Sequence, residues 1–163
     1  MNTILSQDEG MPGKRAAFLR SVDKHPSNSE PVRGAILNLL KFAEQQASPI
    51  PNQPRVTWGA AQNGSFHYRV WVGMKPTTLF TCDSGGYVTV SIGNFTSPWT
   101  DSPFDVPVRE FVRELSPFKG FENLTQGKYV HRPGLSMNDP LTQKPVMAKF
   151  QSAVLQLQRR IEG

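Results

Sequence analysis

The chain has 163 residues, the size of one ordinary domain, and it is long enough to bury a core without disulfides. Hydrophobic residues make up 37% and charged residues 19%, a balance that argues against both a disordered chain and a membrane protein. The net charge of +5 favours an anionic partner such as nucleic acid, although the basic residues are scattered. One cysteine, Cys82, excludes an internal disulfide and a cysteine-cluster zinc site.

The first ten residues contain no apolar run and include Asp8 and Glu9, so we expect no signal peptide. No stretch approaches the roughly 20 apolar residues that cross a bilayer, and we expect no membrane partner and a cytoplasmic location. Residues 1–28 are predicted as a polar, partly disordered segment in which the sequence permits a short helix over Lys14–Val22. A single α+β domain is predicted over 30–163.

The pattern within that domain is one helix, a four-stranded antiparallel β-meander and two helices packed on the sheet. Ser29 as N-cap and Pro31 in the first turn begin a helix over about 30–46 with one apolar face. β-branched and aromatic residues then predict strands at 55–61, 66–72, 77–82 and 87–93. Further helices are predicted over 106–115 and 144–161, separated by an irregular stretch, 116–140.

The turns predict the register of the strands, because turn length decides which residues stand opposite each other. We expect a two-residue turn at Asn63-Gly64 and four-residue turns at 73–76 and 83–86. One face is then a core of Phe66, Tyr68, Val70, Val72, Thr77, Leu79, Thr81, Val88, Val90 and Ile92. The other face, the second face, carries Val56, Trp58, His67, Arg69, Trp71, Thr78, Phe80, Cys82, Tyr87, Thr89 and Ser91.

Two interpretations of the second face remain open. If a helix covers it, its aromatic side chains are core and Arg69 needs a partner, for which Glu44, Glu110 and Glu114 are candidates. If it is uncovered, aromatic rings beside an arginine suit stacking of unpaired bases, or a cage for a modified base or a cation. The candidate nucleic-acid-binding residues are Trp58, Arg69, Trp71, Phe80 and Tyr87, with Lys128 and Arg132 as phosphate contacts.

The same register places Cys82 opposite His67, and a thiol beside an imidazole is a candidate nucleophile and base. No acid is placed to orient the imidazole. The predicted strands contain no Asp or Glu, which argues against a metal-dependent nuclease, and His25, His67 and His131 lack the spacing of metal ligands. We therefore expect no metal and no cofactor.

The resulting hypothesis is a non-catalytic module that binds single-stranded or modified-base nucleic acid through the aromatic and basic second face. A protein–protein interaction adaptor is the first alternative, because aromatic residues and arginine are enriched at protein interfaces. A small enzyme that depends on Cys82 and His67 is the second. The sequence fixes neither the oligomeric state nor the identity of the ligand.

Overall fold

The fold is known from a computed structural model, which describes residues 7–59, 64–96, 101–124, 134–136 and 140–163. The side chains of 7–12, 123 and 134–136 lie outside that description. The helices are α1 (Gln7–Lys24), α2 (Glu30–Gln45), α3 (Asp105–Leu115) and α4 (Lys144–Glu162). The strands are β1 (Val56–Trp58), β2 (Ser65–Val72), β3 (Lys75–Asp83), β4 (Tyr87–Val90) and β5 (Gly134–Ser136).

The α+β class and the antiparallel sheet are confirmed, and one part of the predicted order is wrong. Two helices precede the sheet, because α1 is helical from Gln7 and buries Phe18 and Val22 in the core. The predicted N-cap of α2 is confirmed, since Ser29 Oγ accepts from the Val32 N–H. The described strands include the four that were predicted, and β5, from the stretch predicted as irregular, pairs with the outer edge of β4.

The sheet is a meander in the order β1-β2-β3-β4-β5, in which every strand pairs antiparallel with its neighbours in the chain. β2 and β3 are joined by the two-residue turn Gly73-Met74, in which Gly73 has a φ of +63°. A positive φ at this position suits glycine, which has no Cβ to clash. The tight turn explains why Val72 pairs with Lys75 and not with Thr77.

The predicted register is wrong, and the differences change which side chains share a face. A β-bulge in β3 makes Leu79 an extra residue between the Tyr68–Phe80 and Arg69–Thr78 pairs. The predicted turns at 63–64 and 83–86 would place Trp58 opposite Arg69 and Cys82 opposite Tyr87. The structure instead pairs Trp58 with Phe66 and Cys82 with Val88.

The alternating side chains give the sheet one apolar and one polar face. The helix-covered face consists of Val56, Trp58, Phe66, Tyr68, Val70, Phe80, Cys82, Val88 and Val90. The polar face consists of Thr57, Ser65, His67, Arg69, Trp71, Thr78, Thr81, Asp83, Tyr87 and Thr89, all at least partly exposed except Trp71, which is buried. Such a pair of faces is typical of an antiparallel sheet that packs against helices on one side and contacts solvent on the other.

Aromatic contacts join the helices to the helix-covered face. Phe18 of α1 lies against Phe66, with ring centroids 5.6 Å apart, and Phe42 of α2 stacks on Tyr68 at 6.1 Å. Phe150 of α4 meets Phe80 edge-on at 5.7 Å. α3 packs chiefly on α4. The core therefore lies between this face and the helix layer.

Arg55 ties the sheet to two helices at the start of β1. Its guanidinium donates to both carboxylate oxygens of Glu162 in α4, at 2.8 and 3.1 Å. It also donates to the Ala47 carbonyl after α2 and to the Arg69 carbonyl in β2. Each nitrogen of this buried arginine has an acceptor, so the arrangement satisfies a buried charge completely.

Candidate binding surface

The polar face carries a row of hydroxyl and imidazole groups that crosses four strands. Thr57 pairs with His67, His67 with Thr81, and Thr81 with Thr89. Each of these residues is partly exposed to solvent. The row therefore offers donors and acceptors at the spacing of strands in a sheet, about 4.8 Å.

His67 lies in the middle of this row and is partly desolvated. Its Nδ1 lies 2.8 Å from the Thr81 Oγ1, a hydrogen bond between neighbouring strands. Burial lowers the pKa of His67 below its usual range, because burial disfavours the charged imidazolium. Burial therefore favours the neutral imidazole, which can both donate and accept a hydrogen bond.

Tyr87 is the exposed aromatic side chain of the polar face, with 49% of its surface accessible. It begins β4, immediately after the turn that contains Gly86 at a φ of +81°. The one carboxylate of this face, Asp83, lies beside it. The Asp83 Oδ1 accepts from the N–H groups of Gly85 and Tyr87, at 3.0 and 2.9 Å, so the turn uses this oxygen locally.

Arg69 supplies the positive charge of the polar face. Its Nη2 donates to the Pro54 carbonyl, and its Cζ lies 5.4 Å from the centroid of the Trp71 ring. Burial lowers its pKa, although arginine stays cationic in proteins. The predicted acidic partners do not pair with it: Glu44 and Glu110 form ion pairs with other arginines, and Glu114 with a lysine.

The structure separates the predicted aromatic residues. Phe80 lies fully buried on the helix-covered face, and Trp58 packs against that core while remaining partly exposed. Trp71 is 1% exposed, with the guanidinium carbons of Arg55 and Arg69 each within 5.4 Å of its ring centroid. Among the predicted aromatic residues, Tyr87 alone combines a place on the polar face with high exposure. The predicted phosphate contacts, Lys128 and Arg132, lie outside the described residues.

The structure does not bring Cys82 and His67 together. Phe66 stands opposite Cys82 and Thr81 stands opposite His67, so the thiol and the imidazole project from opposite faces. Cys82 is fully buried, and burial raises the pKa of its thiol, with a further increase from the charge of Asp83. A buried neutral thiol is a poor nucleophile, because the thiolate is the reactive form.

Thr57, Thr81 and Thr89 belong to the polar face, and the sequence analysis did not recognise them as one surface. Their signal was present, since each alternates with an apolar neighbour in its strand. The predicted register nevertheless placed Thr81 in the core.

Within the described ranges, no cluster of three or more His, Cys, Asp or Glu side chains is arranged to hold a metal ion. No helix in the same part of the chain is long and apolar enough to cross a membrane. A comparison of the chain with protein-family models, curated proteins and solved structures finds no match.

Proposed function

We propose that the chain is a non-catalytic binding module that holds single-stranded nucleic acid on the polar face of its sheet. The observation that carries the proposal is that an exposed ring, Tyr87, shares one face with the cation Arg69 and the imidazole of His67. The helices that contact the sheet through aromatic rings do so on the opposite face. A strand of nucleic acid would therefore approach this face without displacing core side chains.

The spacing of these groups suits an extended ligand. Tyr87 lies two strands and two residues away from His67, which corresponds to roughly 12 Å between their Cα atoms at ordinary strand spacing and rise. Arg69 lies two residues beyond His67 on the same strand. A ligand that contacts all three must be longer than one base, and unpaired bases offer a π-face to the tyrosine.

The face also offers hydrogen-bond donors to a phosphate backbone. Arg69 remains cationic, and the hydroxyls of Thr57, Thr81 and Thr89 can donate to phosphate or sugar oxygens. Asp83 opposes this effect, although its Oδ1 is engaged by two backbone N–H groups. The predicted contacts from Lys128 and Arg132 would add to the positive charge.

The proposal is tested by fluorescence anisotropy with a labelled, mixed-sequence single-stranded oligonucleotide at about 50 mM and about 200 mM salt. Tyr87→Ala should weaken binding by roughly 5- to 150-fold, since stacking on an aromatic side chain contributes about 1–3 kcal/mol per base. Tyr87→Phe is the matched control and should bind almost as well as the unchanged protein. Binding of equal strength by both variants, or no salt-dependent binding at all, would overturn the proposal.

A further inference from the structure

β1 is an edge strand whose outward backbone groups find no partner among the residues that the structure describes. The Arg55 carbonyl accepts from the Arg69 N–H, and the Gly59 N–H donates to the Ser65 carbonyl, both at 2.9 Å. Backbone groups alternate in direction along an antiparallel strand, so Val56 and Trp58 turn their N–H and C=O groups away from β2. In the part of the chain that the structure describes, these groups form no hydrogen bond.

A groove of about 450 Å³ lies beside this edge. Val56 and Trp58 line it from β1, Ala43 and Glu44 from α2, and Arg15 from α1. Its size falls within the range of ligand-binding clefts. Arg15 and Glu44 form an exposed ion pair at 2.9 Å, so the rim of the groove is polar while Val56, Trp58 and Ala43 provide apolar surface.

We infer that this edge binds an extended peptide segment of a partner protein by strand addition. The unpaired N–H and C=O groups repeat every second residue, about 6.8 Å apart, and another extended backbone supplies acceptors and donors at the same repeat. A helix offers no such set, because its backbone groups bond to one another. A nucleic acid lacks the regularly spaced N–H donors and carbonyl acceptors of a strand.

The lining of the groove defines the side chains of the peptide. Alternate side chains of an added strand would face Val56 and Trp58, which favours apolar residues at those positions. The three charged side chains that line the groove are already paired, Arg15 with Glu44 and Arg55 with Glu162. The peptide is therefore recognised through its backbone and its apolar side chains. The inference is independent of the polar face, whose side chains it does not use.

The probe is a capped peptide of alternating threonine and valine, titrated into the full ¹⁵N-labelled chain. We expect saturable shifts of the Val56 and Trp58 amide signals. The same peptide with N-methyl groups at alternate residues, on the edge that faces β1, should bind at least tenfold more weakly. Loss of peptide N–H donors is the only intended difference between the two probes, and this comparison uses the unchanged protein.

Val56→Pro removes one outward N–H and leaves the hydrogen bonds between β1 and β2 intact, since proline is tolerated where an edge N–H faces away from the sheet. It should bind the unmethylated peptide at least tenfold more weakly than Val56→Thr, which keeps the N–H and measures what replacing the Val56 side chain contributes by itself. Equal binding of the methylated and unmethylated peptides, or the absence of binding, would overturn the inference. The inference would also fail if the amide shifts depended on protein concentration and not on peptide concentration, because a second copy of the chain would then occupy the edge.

Discussion

The two faces of the sheet are made by the same strands and differ in what they can do. On the helix-covered face, neighbouring rings such as Tyr68 and Phe80 stack with centroids 5.0 Å apart, and helices exclude water from them. On the polar face, the neighbouring row of threonines and His67 retains contact with solvent. An aromatic side chain stabilises the fold in the first setting and is accessible to a ligand only in the second.

This difference shows that the number of aromatic residues in a sheet is a poor guide to binding. Trp58, Trp71, Phe80 and Tyr87 have similar ring chemistry, but one position on the sheet separates the fully buried Phe80 from a solvent-facing neighbour such as Thr81. The register decides this for Phe80, whereas Trp71 alternates with Arg69 on the polar face and is buried against the guanidinium groups of Arg55 and Arg69. The predictions below test that division, beginning with the largest expected effect.

Phe80→Ala should lower the free energy of unfolding by about 3–5 kcal/mol, because it opens a cavity among buried rings. Thr89→Val, on the polar face, keeps the β-branched shape and should change stability by no more than about 0.5 kcal/mol. Urea denaturation measures both. Similar losses for the two variants would mean that the polar face is also packed, and the division between the faces would fail.

Arg55 lies where the two faces meet, and Arg55→Met should cost about 3 kcal/mol or more. The substitution removes the guanidinium from the partly buried carboxylate of Glu162, which keeps the Trp71 N–H, and leaves the Ala47 carbonyl without its donor. Arg15→Met breaks the exposed ion pair with Glu44 and should cost at most about 1 kcal/mol. Thermal unfolding that gave both variants the same midpoint would contradict the assignment of Arg55 as the tie between β1 and α4.

Cys82 reports on the helix-covered face through its reactivity. Because its thiol is buried and its pKa is raised, a thiol-specific reagent at pH 8 should label the folded protein at least about a hundredfold more slowly than free cysteine. Labelling should become complete in denaturant, which serves as the control. Rapid labelling of the folded protein would place the thiol at a reactive surface and revive the enzyme hypothesis.

The smallest of the four predicted effects is a dependence of the free energy of unfolding on pH, which arises from His67. Its folded pKa is lowered, so the unfolded chain binds the proton more readily, and its contribution to stability is present above the ordinary pKa of about 6.5. That contribution is lost as the pH falls through the lowered folded pKa. His67→Gln should flatten this part of the curve, as followed by urea midpoints from pH 7 downward. An unchanged slope would contradict the partial burial of this imidazole.

The sequence predicted the elements of the fold better than their register. Period-3.6 and period-2 patterns located α2, α3, α4 and four strands to within a few residues, since each pattern depends on local spacing. The bulge at Leu79 has no comparable local signal. It turns Phe80 and Cys82 toward the helices and Thr81 toward solvent, and this reversal removed the predicted pairing of Cys82 with His67.

The connection between β1 and β2 also differs from the prediction, and it exchanges the two faces for the side chains of β1. Asn63-Gly64 suggested a two-residue turn, but Gly59 already pairs with Ser65, so the connection is longer. The register between β1 and β2 differs from the predicted one by an odd number of residues. Trp58 therefore lies on the helix-covered face and not on the predicted binding face. The polar face could be recognised only once these two irregularities were known. α1 was underestimated because its sequence is mostly polar and, among the described side chains at 13–24, only Phe18 and Val22 are fully buried.

The most direct test of the account is methyl NMR of the full chain during titration with a single-stranded oligonucleotide. Methyl groups of Thr57, Thr81 and Thr89 report on the polar face, and those of Val70, Val88 and Val90 report on the helix-covered face. The account predicts saturable shifts of the threonine methyl signals while the valine signals stay in place. Shifts confined to the valines, or no shift of either set, would contradict the assignment of the polar face as the binding surface.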